Sequence, residues 1–378
     1  MELAAGRTAT GERRAIRHVD LVLVAAVLAL AVAGLLAIYS ATHRSLAAVG
    51  LDPGHFVKRQ VTFVGLGAVV VMLVASFDYR LLKIYAGFVY IASLVLLVLV
   101  RTPLGSSVKG SQRWFGLFGF QLAPSEFAKL ALIAMLAAFL SEIRGELTLR
   151  DVFRASALAA IPGVLVFLQP DLGSSIVFAA ILFGILVVAG TRARYLGVLA
   201  LTAVILIVAG FQVGLVREYQ LERLRAFLDP ENVDAAARYN REQAEIAIGS
   251  GGVFGLGYLR GTQTNLDFVP EQHTDFVFTV VGEEFGFLGA GLLLGLYGVV
   301  LWRAFRIALL SKDPFGTYLA AGVASMLALQ MFVNVGMNIG IMPITGIPLP
   351  FVSYGGSSLL LNAAAVGLLL NVHMRRLT

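Results

Sequence analysis

Residues 268–302 read FVPEQHTDFVFTVVGEEFGFLGAGLLLGLYGVVLW. The second half, 288–302, carries no charge and is almost wholly apolar, whereas the first half holds Glu271, Asp275, Glu283 and Glu284. About twenty apolar residues suffice to cross the ~30 Å hydrocarbon layer of a bilayer. An acid near the membrane midplane costs about 2.5–3.5 kcal/mol on insertion scales, so it faces a cavity or a partner. The stretch therefore reads as a membrane helix whose acidic approach serves something inside the protein.

The same pattern recurs along the chain. Of its 378 residues 58% are apolar and 14% charged, against roughly a quarter charged in soluble proteins, and the mean hydropathy is +0.84. Apolar runs occur near 21–41, 61–77, 84–101, 125–141, 154–169, 172–189, 195–214, 277–302, 316–338 and 355–373. None alternates with the period of two that a membrane β-barrel strand requires. The reading is an all-α polytopic membrane protein of about ten transmembrane helices, with a large outer loop, about 215–276, between spans 7 and 8.

Charge orients the spans. With the N-terminus placed inside, the inner segments hold 16 of the 29 basic residues but only 8 of the 23 acids. Short Lys/Arg-rich loops belong on the cytoplasmic side, so both termini are expected there. The basic excess needs no nucleic acid to explain it. Residues 1–20 read as a cytoplasmic N-terminal tail, and 21–378 as a single transmembrane domain. The first span is too long for a signal peptide and is followed by nine more, which favours an uncleaved helix. The chain has no cysteine, which excludes a disulfide framework and thiol chemistry.

The inner connections are short, and the outer ones carry the chemistry. Residues 102–124 are Gly-rich and include Trp114. Within 215–276, the first half has helical composition broken at Asp229-Pro230, and the second half holds Gly249, Gly251, Gly252, Gly255, Gly257 and Gly261. A loop of this length is functional or disordered, and its aromatics and glycines are not a disordered composition. No internal repeat of the inverted-transporter kind is evident.

Polar points enter the apolar runs from this outer side. Asp275 follows Pro270 and a polar EQHT, at the mouth of its helix, where the helix dipole stabilises a carboxylate; a simple interfacial cap is the alternative. Glu283 and Glu284 lie about two turns deeper, with Glu283 rotated ~80° from Asp275, so at least one faces inward; they read as structural, as buried salt-bridge partners, with direct catalysis the alternative. Glu126 and Lys129 share a helix face at i,i+3 spacing, either as a simple ion pair that lowers the insertion cost or as part of a site. In FLQPDLGSS a Pro break precedes Asp171, either a helix N-cap or a cavity acid at unwound backbone. Asn334 and Asn338 read as interhelical hydrogen-bonding residues. The Gly-rich run lacks the strand–turn–helix setting of a nucleotide loop, although backbone N–H nests for phosphate remain open. The five histidines are scattered, with no metal-binding spacing. Together these groups make a cavity suited to a diphosphate-bearing substrate.

GFQLAPSEFAK, QPDLGSS, ERLRAFLDP, AIGSGGVFGLGYLRGTQ, PEQHTDFVFTVVGEEFG and GIPLPFVSYGGSS occur in the order seen in the SEDS (shape, elongation, division and sporulation) family, which this chain resembles over nearly its whole length. The wording GTQTNLDFVPEQHTDF is closer to the elongation branch than to the division branch. Ala123 stands where the family usually has Pro, and Ser174 where Thr is common; neither change removes a charge. The resemblance implies a ten-span fold in the bacterial cytoplasmic membrane and peptidoglycan glycosyltransferase activity on lipid II, a disaccharide-pentapeptide carried on undecaprenyl diphosphate. It further implies Asp275 as the essential acid, Glu126, Lys129 and Asp171 as motif residues, a class B penicillin-binding protein as partner, and a divalent cation, Mg or Mn, whose ligands are unknown.

Glycosyl transfer needs a base for the attacking hydroxyl and positive charge for the departing diphosphate. Asp275 is the expected base; Lys129, positioned by Glu126, and Arg223 or Arg260 are the expected diphosphate contacts. Broken helices and intramembrane acids equally suit a flippase or transporter. A non-catalytic scaffold would account for the long outer loop alone.

Overall fold

The computed structural model describes residues 18–108, 111–117, 120–212, 218–229 and 235–376. The N-terminal tail therefore lies, except for 18–20, outside the described residues, as do Pro230 and parts of 102–124.

Ten helices match the ten expected spans: α1 (Leu21–Ala48), α2 (His55–Ser76), α3 (Tyr79–Leu99), α4 (Pro124–Ser141), α5 (Leu149–Phe167), α6 (Leu172–Val188), α7 (Ala193–Gln212), α11 (Val277–Leu310), α12 (Pro314–Asn338) and α13 (Gly356–Met374). Seven of them are long and apolar enough to cross a membrane on their own. Of the other three, α5 opens with Arg150, Asp151 and Arg154, α6 is 17 residues long, and only part of α7 is counted as apolar. Acids and a threonine at the ends of the apolar runs act as N-caps, as their short side chains favour. Asp20 accepts from the Leu23 amide, Asp171 from Ser174 and Asp313 from Gly316, while Thr148 and Asp151 form a capping box on α5.

The helices α4, α12 and α13 are mostly buried and form the centre, with α3 and α6 packed on α4 and α12, and α2 on α13. Apolar residues on the outer helices, such as Ile84, Phe88 and Phe153, point away from the protein, as a lipid-facing surface requires. Asp20 before α1 accepts a 2.7 Å hydrogen bond from Arg303 near the end of α11, which brings the start of α1 beside the C-terminal part of a late helix.

Two departures from the sequence reading concern the outer segments. Three short strands, β1 (Ser106–Val108), β2 (Ser111–Leu117) and β3 (Phe120–Leu122), pair antiparallel in the order β1-β2-β3, where an irregular loop was expected. The long outer loop contains α8 (Glu218–Leu228), α9 (Ala235–Ser250) and the single-turn α10 (Thr262–Asn265). It does not lie wholly outside. Ala244 and Ala247 of α9 form a small buried cluster with Val269 and Phe276, and residues 251–265 dip between α1 and α11.

This dip explains both the glycines and the deep acids. Helix α11 is broken at Gly286 (φ 65°, ψ −162°). Breaking a helix strands backbone groups that must be paired elsewhere. Here the Leu256 and Gly257 amides donate to the Glu283 and Glu284 carbonyls at 3.0 Å, and the Phe287 and Leu288 amides donate to Gly252 (2.9 Å) and Val253 (3.1 Å). The Gly-rich run is thus a backbone splint for the break, and its Leu256 and Gly257 amides are engaged there instead of forming a phosphate nest. A Cβ at Gly286 would collide with the Gly255 nitrogen and stand 2.7 Å from the Val253 oxygen. Gly286→Ala is expected to cost at least the ~1–3 kcal/mol of a left-handed non-glycine residue, seen as a lower unfolding temperature of the detergent-solubilised protein. Gly298→Ala, where nothing lies within 4 Å, should leave that temperature unchanged or raise it. Equal shifts for the two would contradict the splint.

Candidate active site

Several elements meet at the loop-bearing end of the bundle: the starts of α2, α4, α6 and α13, the strand β2, and the approaches to α11 and α13. Between them lies a cavity of about 450 Å³ whose wall includes Asp275, Glu126, Lys129 and Asp171. Residues spread over 150 positions of sequence are brought to one space.

Glu126 lies in the first turn of α4, which Pro124 opens, and Lys129 follows one turn later. Both are buried, at 7% and 1% exposure, and Lys129 Nζ donates to Glu126 Oε1 at 2.6 Å. Glu126 Oε2 is buried and has no hydrogen-bond partner among the described residues. Asp171 both caps α6 and faces the cavity: Oδ1 accepts from the Ser174 amide and Oδ2 from its hydroxyl, each at 3.0 Å. The two readings of Asp171 are therefore compatible.

Asp275 does not stand on the helix. It lies two residues before Val277, with Phe276 as a cap residue that makes no side-chain bond, so the rotation argued from a continuous helix does not apply. Its backbone is held from the opposite side. Asn334 Nδ2 donates to the Asp275 carbonyl (2.9 Å) and to the Ile347 carbonyl (2.8 Å), and Asn338 Nδ2 to the Asp275 carbonyl at 3.2 Å. Both asparagines are fully buried. They join the end of α12 to two segments of the cavity wall, a more specific task than helix–helix contact. The left-handed Gly346 (φ 74°) completes that wall: a Cβ there would lie 3.3 Å from Asp275 Oδ2.

Asn334→Ala would leave the Ile347 carbonyl without this donor and weaken the hold on Asp275. Each buried group left unpaired costs about 1–3 kcal/mol. The expected result is faster amide hydrogen exchange over 274–280 and 349–353 with the rest of the bundle unchanged; uniform exchange across the protein would contradict the clamp.

The remaining sequence candidates fall elsewhere. Arg223 is exposed on α8, lines a separate cleft with Met337 and Met342, and donates to the Ile344 carbonyl at 3.3 Å. Arg260 is exposed on the glycine-rich segment and lines neither space. The cations beside Lys129 in the cavity are instead Arg59 and Arg113. Arg113 of β2 pairs with Asp171 at 3.5 Å and donates to the Pro170 carbonyl. Neither was among the expected site residues: Arg59 lies before the expected second span, 61–77, and Arg113 lies in the outer connection 102–124. Glu283 and Glu284 have no lysine or arginine partner among the described residues, contrary to the salt-bridge expectation. Glu283 accepts from the Gln263 and Thr264 amides (2.7 and 3.0 Å) and from the Thr264 hydroxyl (2.7 Å), fastening α10, while Glu284 accepts from Ser40 of α1. Each carboxylate holds a neighbouring segment.

Among the described residues no group of three or more His, Cys, Asp or Glu is placed to hold a metal ion. Magnesium, however, commonly binds one or two carboxylates together with substrate phosphates. The unpartnered Glu126 Oε2 on the cavity wall fits that mode.

A family model of the FtsW, RodA and SpoVE cell cycle proteins matches residues 20–377. The chain belongs to this family. It is 38% identical over 359 residues to a probable peptidoglycan glycosyltransferase FtsW of Trichlorobacter lovleyi, covering 93% of this chain and 92% of that protein. The fold matches the Rod shape determining protein RodA of Thermus thermophilus at TM-score 0.70, with 33% identity over 95% of this chain and 98% of that one. It also matches, at TM-score 0.80 and 35% identity, a chain solved in a study of the structural coordination of polymerization and crosslinking by a peptidoglycan synthase complex, over 95% of this chain and 99% of the other. The resemblance read from the motifs and the helical polytopic fold are both borne out.

Proposed function

We propose that this protein is a peptidoglycan glycosyltransferase that polymerises lipid II on the outer face of the cytoplasmic membrane, with Asp275 as general base. The observation that carries the reading is the convergence of Asp275, Glu126, Lys129 and Asp171, with Arg59 and Arg113, on one cavity at the loop-bearing end. In the reaction, a hydroxyl oxygen of one saccharide attacks the anomeric carbon of another. The bond from that carbon to the lipid diphosphate breaks, the diphosphate leaves with the electron pair, and the hydroxyl proton passes to the Asp275 carboxylate. Lys129, Arg59 and Arg113 stabilise the negative charge that grows on the leaving group. Glu126 orients Lys129 through its 2.6 Å bond.

A divalent cation, Mg or Mn, is part of the proposal: Glu126 would hold it through Oε2, and it would add positive charge for the diphosphate. The wording of residues 261–276 supports a role in cell elongation. A class B penicillin-binding protein is the proposed partner, supported by the likeness to a chain from a peptidoglycan synthase complex. The basic excess of the inner segments supports cytoplasmic termini.

The deciding experiment supplies purified protein with lipid II in detergent, where there are no two sides to flip between. Glycan strands are expected; their absence, with lipid II translocation in vesicles, would favour the flippase reading.

A further inference from the structure

The cavity has an aromatic margin that the chemistry above does not use. Phe56 and Phe63 lie seven residues apart on α2, with Arg59 and Gln60 between them, so all four share one helix face. That face is tied to the segment before α13: Gln60 Nε2 donates to the Ser353 carbonyl at 3.2 Å, and Gln60 Oε1 accepts from the Gly355 amide at 3.4 Å. The segment is tied in turn to the approach to α11, where the Tyr354 amide donates to the His273 carbonyl at 2.8 Å. Three chain segments thereby fix one aromatic group. The Phe56 ring lies 4.7 Å from His273 and 5.1 Å from Tyr354, and His273 lies 5.6 Å from Tyr354.

Phe56 and Tyr354 line the same cavity as Thr274 and Asp275, the two residues that follow His273. Burial pushes the Tyr354 hydroxyl above its ordinary range, with Arg59 acting in the opposite direction, so the ring presents a neutral phenol. Aromatic faces beside hydrogen-bonding groups suit a ligand with an apolar face and a polar edge. A pyranose ring has this form, with axial C–H bonds on its face and equatorial hydroxyls around it. An acyl chain would bring only hydrocarbon to a wall that also presents Thr274, Asp275 and Arg59, whereas a sugar brings hydroxyls that hydrogen-bond to such groups.

We infer that Phe56 and Tyr354 form a saccharide shelf that stacks a pyranose ring of the substrate, holding its hydroxyl edge toward Asp275. This rests on the glycosyltransferase reading and adds the residues that place the sugar. The shelf residues act on binding and orientation, and Asp275 on the proton.

The test uses the full-length protein in detergent and a soluble β-1,4-linked N-acetylglucosamine tetramer as probe, followed by saturation-transfer NMR. The wild type should transfer saturation most strongly to the ring C–H protons. Phe56→Leu and Tyr354→Leu should each weaken that signal about fivefold or more, while Tyr354→Phe should retain it. In polymerisation assays the leucine variants should raise KM for lipid II more than they lower kcat, with unfolding temperatures near wild type. Tetramer binding unaffected by both leucine substitutions, or absent from the wild type, would overturn the shelf. If the wild type binds the tetramer through these rings yet makes no polymer from lipid II, the shelf stands and the polymerase reading fails. Polymerisation with an unchanged KM in both leucine variants sinks the shelf alone.

Discussion

Lys129→Met is expected to destabilise the protein by about 3–5 kcal/mol and to remove activity. The ammonium and the Glu126 carboxylate have side chains only 2% and 9% exposed and meet at 2.6 Å. Removing one member of a buried ion pair leaves the other charged and desolvated, and that penalty exceeds what the pair contributes when intact. The double variant Glu126→Gln with Lys129→Met removes the stranded charge as well, so most of the lost stability should return. Activity should not return, because the cation facing the leaving diphosphate is still missing. Thermal unfolding of wild type, the two single variants and the double variant closes the cycle. Additive destabilisation would show that the two side chains do not act as one buried unit, and polymerisation by the double variant at the wild-type rate would exclude Lys129 from the reaction.

Most helices were legible because their signals are local. Helix α4 begins at Pro124, one residue from the expected start, since proline suits the first turn and an apolar run follows. Helix α6 begins at Leu172, where Asp171 announces a cap. Helix α2 begins six residues earlier than expected, because HFVKRQ is helical yet too polar to count toward a span. That error hid Phe56, Arg59 and Gln60. The role of the glycine run was hidden for another reason. Its amides pair with a break in α11 some thirty residues away, and nothing in GSGGVFGLG indicates which carbonyls it will meet. The same limit applied to Glu283, whose partners lie in a four-residue helix that residue propensities alone do not specify. Acids were legible as functional or structural; their partners were not. The outer arginines show the converse. Arg223 and Arg260 have the right charge on the right side, but charge without register does not place a side chain in a cavity.

Asp275→Asn is expected to abolish polymerisation while leaving the fold intact. The substitution keeps the size of the side chain, and the two asparagines grip the Asp275 carbonyl rather than its carboxylate, so the clamp survives. What is lost is the ability to accept the proton of the attacking hydroxyl, and removing a positioned general base lowers a rate by about 10²–10⁴-fold. Glu271→Gln, four residues away and exposed, changes charge equally and should retain activity. The most direct measurement is therefore the rate at which purified wild type and Asp275→Asn convert lipid II into glycan strands in detergent, with divalent cation and the penicillin-binding partner present. A loss of at least about a hundredfold in Asp275→Asn, with an unchanged unfolding temperature, is the predicted result; polymerisation by that variant at the wild-type rate would contradict the account.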